Sequence, residues 1–211
     1  LSDTVQAAVN IAKYTSEDEC AGLADKSRLA LNPPDLSLHH AAEITPEKAI
    51  AIANECEAAA LETDERLTNS DGANFSAYEG FKVYGNSHGM IAGYPSSRYS
   101  LSCVMIASEG DDMQRDYSYS VNRQLAKLDA TVFVGKSAAK EVLARLNARK
   151  IATTKTPVIF RADIANSLFG HLVSAISGGN LYRKSSFLVD ALGEMILPEH
   201  LTISERPHLI S

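Results

Sequence analysis

Gly85-Asn86-Ser87-His88-Gly89 is the stretch of this chain whose residue types first suggest catalysis. It fits G-x-S-x-G, a pattern in which a tight strand-to-helix turn pushes a serine hydroxyl clear of the backbone. The pattern works only with a strand before it and a helix after it. A strand-like run, Phe75 to Tyr84, precedes. The next residues are Met90-Ile91-Ala92-Gly93-Tyr94-Pro95, whose glycine and proline disfavour a helix. A glycine-bounded β-turn is therefore expected. His88 beside Ser87 makes no dyad, because neighbouring side chains in extended backbone face opposite ways.

Metal chemistry needs donors brought together, commonly two histidines one helical turn apart plus a carboxylate. His39-His40, His88, His171, His200 and His208 form no HExxH or HxxxH and have no cysteine at ligand spacing. His171 lies in an apolar helical stretch and reads as a core or interface histidine. Glu109, Asp111 and Asp112 lack the EF-hand spacing and read as a solvated turn. There is no Walker A motif and no GxGxxG, and Gly178-Gly179 reads as a helix stop. Arg183-Lys184-Ser185-Ser186 admits two readings, an anion-binding loop or an ordinary surface loop. No complete catalytic set emerges.

Composition narrows the class. The chain has 211 residues, 45% hydrophobic and 22% charged, enough for one large domain or two small ones with a real core. A net charge of −6 and a pI near 5.5, with scattered lysine and arginine, argue against direct nucleic-acid binding. No apolar run approaches the ~20 residues of a membrane span, so a soluble chain is expected. The first residues carry no signal-peptide pattern, and the missing initiator methionine hints at a fragment. Cys20, Cys56 and Cys103 are few and widely spaced, which fits a reducing compartment and a cytoplasmic location.

The elements that would position these residues are legible from periodicity. Val5, Ala8, Val9 and Ala12 mark a short helix behind Asp3, with Gln6 as its capping-box partner and an apolar face that must dock. Thr15 to His40 has no sustained period and reads as a linker. Thr45-Pro46 starts a helix to about Glu62, with Ala49, Ile52, Ala53, Cys56 and Ala60 on one face, so Cys56 packs as a small apolar side chain. Asn69 to Gly72 reads as a turn, and strands are expected at Phe75–Tyr84, Met90–Tyr94, Tyr99–Ala107 and Asp116–Asn122. Tyr99, Leu101, Cys103 and Met105 should share a face. A second helix holds Ala138, Ala139, Val142, Leu143 and Leu146 and ends in Ala148-Arg149-Lys150. After a boundary at 151–157 come a strand, Val158-Ile159-Phe160, and a third helix burying Ile164, Leu168, Leu172 and Ile176. The fold class is α+β: an antiparallel β meander packed with amphipathic helices.

Several strings taken together are distinctive: Gly85–Gly89, Gly93-Tyr94, Ser96–Ser102, Asp112–Tyr117, Leu168–Gly179, Leu181–Phe187 and Leu201-Thr202-Ile203. Over essentially the whole chain they resemble the TldD/PmbA family, known as modulators of DNA gyrase and classed with the metallopeptidases. Family members are considerably longer, and this chain resembles their middle. The resemblance implies three parts: 1–32 as the end of a first domain and linker, 33–147 as a complete central domain, and 148–211 as the start of a third.

The same resemblance implies a function. Family proteins pair into a heteromeric protease that trims unfolded peptides, including peptide-antibiotic precursors and antitoxins. TldD-type subunits carry H-E-x-x-x-H, in which two histidines hold zinc and the glutamate activates water. Laid together on Arg183-Lys184, that motif falls on Gly170, His171 and Ala175 of this chain. The resemblance thus implies the non-zinc subunit, with no cofactor of its own, no catalytic residue and zinc in the TldD-type partner. It also implies a possible homodimer when the subunit is alone. His171, Tyr182, Arg183 and Lys184 are the candidates for a substrate or partner cleft. The alternative is an independent hydrolase using Ser87 or an unrecognised metal set.

Overall fold

Thr45 and Pro46 start the helix on which the first half of the chain is organised. The Thr45 hydroxyl accepts from the Lys48 N–H at 3.3 Å, and Pro46 takes the first helical position, where no donor is needed. The computed structural model describes residues 1–18 and 21–210, so Cys20 lies outside the described residues. The chain divides into two compact units, one comprising Leu1–Ala148 and the segment from His208 on, the other Arg149–Pro207.

In the first unit the order is α1 (Ser2–Tyr14), α2 (Pro46–Leu61), β1 (Asn69–Gly85), β2 (Ile91–Glu109), β3 (Asp112–Asn122) and α3 (Thr131–Leu143). The three strands form one antiparallel sheet in the order β1-β2-β3. This is the expected meander, and the fold is α+β. Tyr99, Leu101, Cys103, Met105 and Ala107 all point to one face and are at most 1% exposed. Against that row lie Cys56 and Ala60 of α2 and Val134, Ala138, Ala139 and Val142 of α3, so both helices cover the same side of the sheet. Full burial of a Leu, Met or Val side chain stabilises by roughly 1.5–3 kcal/mol. The β2 row is therefore the main apolar contribution to the unit.

Four expectations change here. Asn69–Gly72 is not a separate turn but the start of β1, where the register slips between Ser70 and Gly72. Gly72 sits at φ 93°, a left-handed conformation that lets a bulge absorb these turn-type residues without ending the ladder. The two strands expected around Tyr94 and Tyr99 are one continuous β2, because Pro95 faces the edge-strand residue Phe81 and interrupts no third partner. The second helix begins at Thr131 and ends at Leu143, short of Ala148, and Leu146 packs on the core from the turn beyond it. In α1, the helix starts before Asp3, Leu1 is the N-cap and no side-chain cap forms; Gln6 donates to Asn10 Oδ1 at 3.1 Å instead. No residue of α1 is buried.

The second unit contains α4 (Ala162–Ala175) and α5 (Gly178–Tyr182). Val158-Ile159-Phe160 is not a strand. A strand exists only through ladder partners, and all three strands of the sheet belong to the other unit. Gly178-Gly179 opens α5 rather than simply stopping α4, which has already ended at Ile176. Of the expected buried face, Leu172 is half-buried while Ile164, Leu168 and Ile176 are 54%, 45% and 49% exposed, and Ala175 is the one buried residue of α4. A helical period shows which residues share a face, not whether another element covers it.

The helix pair sets the first testable outcome. A Cβ placed on Gly135 of α3 would collide with the Cys56 carbonyl oxygen of α2. Gly135→Ala should therefore force the helices apart and cost about 1–3 kcal/mol, the usual range for overpacking. Urea unfolding followed by circular dichroism measures this.

Candidate functional site

Of the four cleft candidates, three are consecutive and one stands apart. Tyr182 is the last residue of α5 and is 59% exposed. Arg183 caps the helix, and its Nη2 donates to Asn180 Oδ1 at 3.0 Å. Lys184 lies at φ 54°, in the left-handed region, and projects from the turn. Asn180 ties this turn to α4 by donating to the Ser174 carbonyl at 2.8 Å. His171 is an exposed residue of α4, so of the expected core or interface roles the core one does not hold. No hydrogen bond among the described residues joins it to Arg183 or Lys184.

The donor chemistry around His171 does not fit zinc. A catalytic zinc takes three protein ligands and keeps a fourth position for water. Gly170 has no side chain, Ala175 offers a buried methyl group, and His171 alone supplies one nitrogen. Among the described residues no group of three or more His, Cys, Asp or Glu could hold a metal ion.

Ser87 sits at the exposed tip of the β1–β2 hairpin. Asn86 organises that tip. Its side-chain oxygen accepts from the His88 and Met90 N–H groups at 3.1 and 3.3 Å, while its carbonyl accepts from Gly89 at 3.1 Å. Gly89 takes φ 88°. The next element is strand β2, so the strand-turn-helix geometry of a nucleophile elbow is not there.

A polar cluster that no local spacing announces lies where the segment before α2 crosses the sheet. Ser97, fully buried, accepts from the His40 N–H at 2.9 Å and donates to the Arg123 carbonyl at 2.8 Å. The buried Tyr99 hydroxyl lies 2.8 Å from the His40 carbonyl and 3.0 Å from Glu79 Oε1. Glu79 also meets His39 Nε2 at 3.3 Å and accepts from the Ala42 N–H at 3.3 Å. The bond to His39, then those to Tyr99 and Ala42, hold the Glu79 carboxyl below its ordinary range. Burial raises the Tyr99 hydroxyl. The partners are 20 to 59 residues apart, which is why the sequence alone hides them. The cluster fastens the chain across the middle of the β1–β2 ladder, where Glu79 stands opposite Ser97. At the base of the hairpin, Arg66 bridges Asp64 Oδ2 at 2.9 Å and Glu109 Oε2 at 3.2 Å. Its guanidinium brings the Asp64 carboxyl to about 2.

The first unit is an α+β domain with a three-stranded antiparallel sheet, and the second is helical. The sequence comparisons agree with the class. The chain belongs to the PmbA/TldA metallopeptidase family, matching its central domain over residues 39–146 and its C-terminal domain over 153–211. It is 53% identical over 210 residues to Metalloprotease PmbA of Escherichia coli and 52% identical to a PmbA homolog of Haemophilus influenzae. All of this chain is covered, but only 47% of either relative, so the chain spans about half their length. A crystal structure from Bacteroides thetaiotaomicron, described as a modulator of DNA gyrase, superposes with TM-score 0.89 at 29% identity. The match takes in 99% of this chain and 48% of that structure. TldE of Thermococcus kodakarensis shares the fold, with TM-score 0.58 at 18% identity over 89% of this chain and 42% of its own.

The two carboxyls generate a pH prediction. Each titrates lower in the folded chain than in the unfolded one. Each therefore stabilises the fold above the ordinary carboxylate range, and that contribution is lost as pH falls through the folded value. The stability gap between wild type and an Asp64→Asn/Glu79→Gln double variant should be full at neutral pH. It should close below 4.5 for the Glu79 part and on the way down to about 2 for the Asp64 part. Denaturant melts at stepped pH would show it.

Proposed function

We propose that the chain is part of the non-zinc subunit of a TldD/TldE-type cytoplasmic metalloprotease that processes unfolded peptides, including peptide-antibiotic precursors and antitoxins. The residue chemistry of α4 carries the reading. Where the family resemblance would lay the zinc motif of the TldD-type branch, the chain has Gly170, His171 and Ala175, and no protonation change turns those three into a zinc site. The curated relatives named metalloprotease support the family side of the proposal. In this reading zinc belongs to the partner subunit, and this chain helps form the cleft, with Tyr182, Arg183 and Lys184 as lining residues. His171, on the exposed side of α4, is a second candidate for contact with peptide or partner. No helix of the described residues is long and apolar enough to cross a membrane.

The test uses the full-length protein. Purified alone it should bind no stoichiometric zinc and cleave an unstructured peptide no faster than a blank. Adding the TldD-type partner should produce cleavage. Stoichiometric zinc and peptidase activity in the isolated subunit would reverse the assignment. In the assembled complex Ser87→Ala should leave the rate essentially unchanged, whereas removal of a true nucleophile costs several orders of magnitude.

A further inference from the structure

The two faces of the sheet are sorted by charge. Glu79, Glu109, Asp112 and Asp116 lie on the helix side, where they meet His39, Arg66, the Asn147 N–H and Arg145. The cations of the strands, Lys82, Arg98 and Arg115, alternate to the opposite face. One carboxylate, Asp71 at the bulge, reaches that outer side and pairs with Arg115, which remains 60% exposed. On a chain of net charge −6, this face is locally basic.

The same face carries exposed aromatic rings. Successive outward positions of β3 read Met113, Arg115, Tyr117, Tyr119 and Val121. Tyr117 and Tyr119 are 54% and 59% exposed and stack with ring centroids 6.2 Å apart. Half-buried Ser100, Ser102 and Val104 of β2 lie beside them in register with Val121, Tyr119 and Tyr117. Large amphipathic tyrosines beside small hydroxyls bind polypeptide adaptably and at low entropic cost.

We propose that this outer sheet face docks an extended acidic polypeptide segment. Apolar side chains of the segment would lie on Tyr117, Tyr119 and Val121, and its carboxylates would pair with Arg115 at one end and Arg98 at the other. Arg115 stands opposite Ile106, eight residues along β2 from Arg98, a span of roughly 27 Å at the strand rise. Two or three cations over that length match a polypeptide with a few carboxylates. A nucleic-acid strand, with a charge about every 3.4 Å, would demand far more. The docking surface goes beyond the non-zinc subunit reading and stands without it. A binding assay decides one and a peptidase assay the other.

Fluorescence anisotropy on the full-length protein tests the proposal, with a labelled unstructured peptide bearing aspartates at both ends and leucine, serine and phenylalanine between. Binding should weaken with added salt, as exposed charge pairs do. It should fall about tenfold or more, about 1.4 kcal/mol, for the peptide with lysines in place of aspartates and for Arg98→Glu/Arg115→Glu. Tyr117→Thr/Tyr119→Thr keeps strand-favouring residues, and should lose affinity by a similar factor while its thermal unfolding stays cooperative. The proposal falls if the acidic and basic peptides bind alike, if the folded variants bind like wild type, or if a single-stranded DNA of equal length binds more tightly. It falls too if Tyr117 and Tyr119 resist solvent nitration in the full-length protein, since the face would then already be covered.

Discussion

The backbones of α2 and α3 touch at Gly135 and Cys56, and the rest of the first unit depends on that approach. Only a glycine admits the Cys56 carbonyl there, and the buried alanines Ala60 of α2 and Ala138 and Ala139 of α3 pack in the same core. A narrow helix pair can lie side by side over one long strand. The inner row of β2, from Tyr99 to Ala107, is buried along its whole length for that reason. Interiors pack like crystals, so a wider residue anywhere in this seam would propagate to the sheet. Cys56 and Cys103 answer to the same limit on volume. They are buried in the core, where contact with Cys103 together with burial pushes the Cys56 thiol up and the same contact lowers that of Cys103.

The same geometry decides where charge can go. Strand residues that face the helices are close to helix ends and connecting loops, which supply guanidinium groups and backbone N–H donors. Asp116 finds Arg145, Asp112 finds the Asn147 N–H and Glu109 finds Arg66. Carboxylates accept such bonds readily, and burial without them would be costly. On the outer face Arg115 is met by Asp71 of the β1 bulge. Long cationic side chains with hydrated heads are the charges that such a surface tolerates, and they alternate with tyrosines there.

Much of this was legible in the sequence. Thr45-Pro46, the alanine-rich face of α2 and the alternation from Tyr99 to Met105 are local signals, and local physics settled them. The turn at Ser87 was legible too, because glycine and proline after a G-x-S-x-G pattern exclude the helix it requires. The features that stayed hidden depend on distant partners. Asn69-Ser70-Asp71-Gly72 has turn composition, yet pairing with β2 draws it into a strand through a bulge. On β3 the inner positions are Asp116, Ser118 and Ser120, against the simple rule that apolar residues face the core. Ser120 faces the core because its hydroxyl accepts from the Asp129 N–H at 3.0 Å, which fixes the entry to α3. The clamp of His40, Ser97 and Tyr99 has no spacing at all that a reader of one sequence could use.

The second unit shows the opposite limit. Its helix α4 keeps the full apolar period, with Ile164 and Leu168 one turn apart, and yet both remain about half exposed. Amphipathicity is a statement about a helix, whereas burial is a statement about its surroundings, and only the first is written in the local sequence. The same distinction holds between a regular helix and a metal site. Gly170, His171 and Ala175 sit in regular α-helix, with α4 unbroken across them. A metal site demands three donors at fixed distances, while a helix demands only backbone bonds and side chains that tolerate them. Glycine and alanine can therefore stand in this helix without ending it, whatever donors its surroundings do or do not supply.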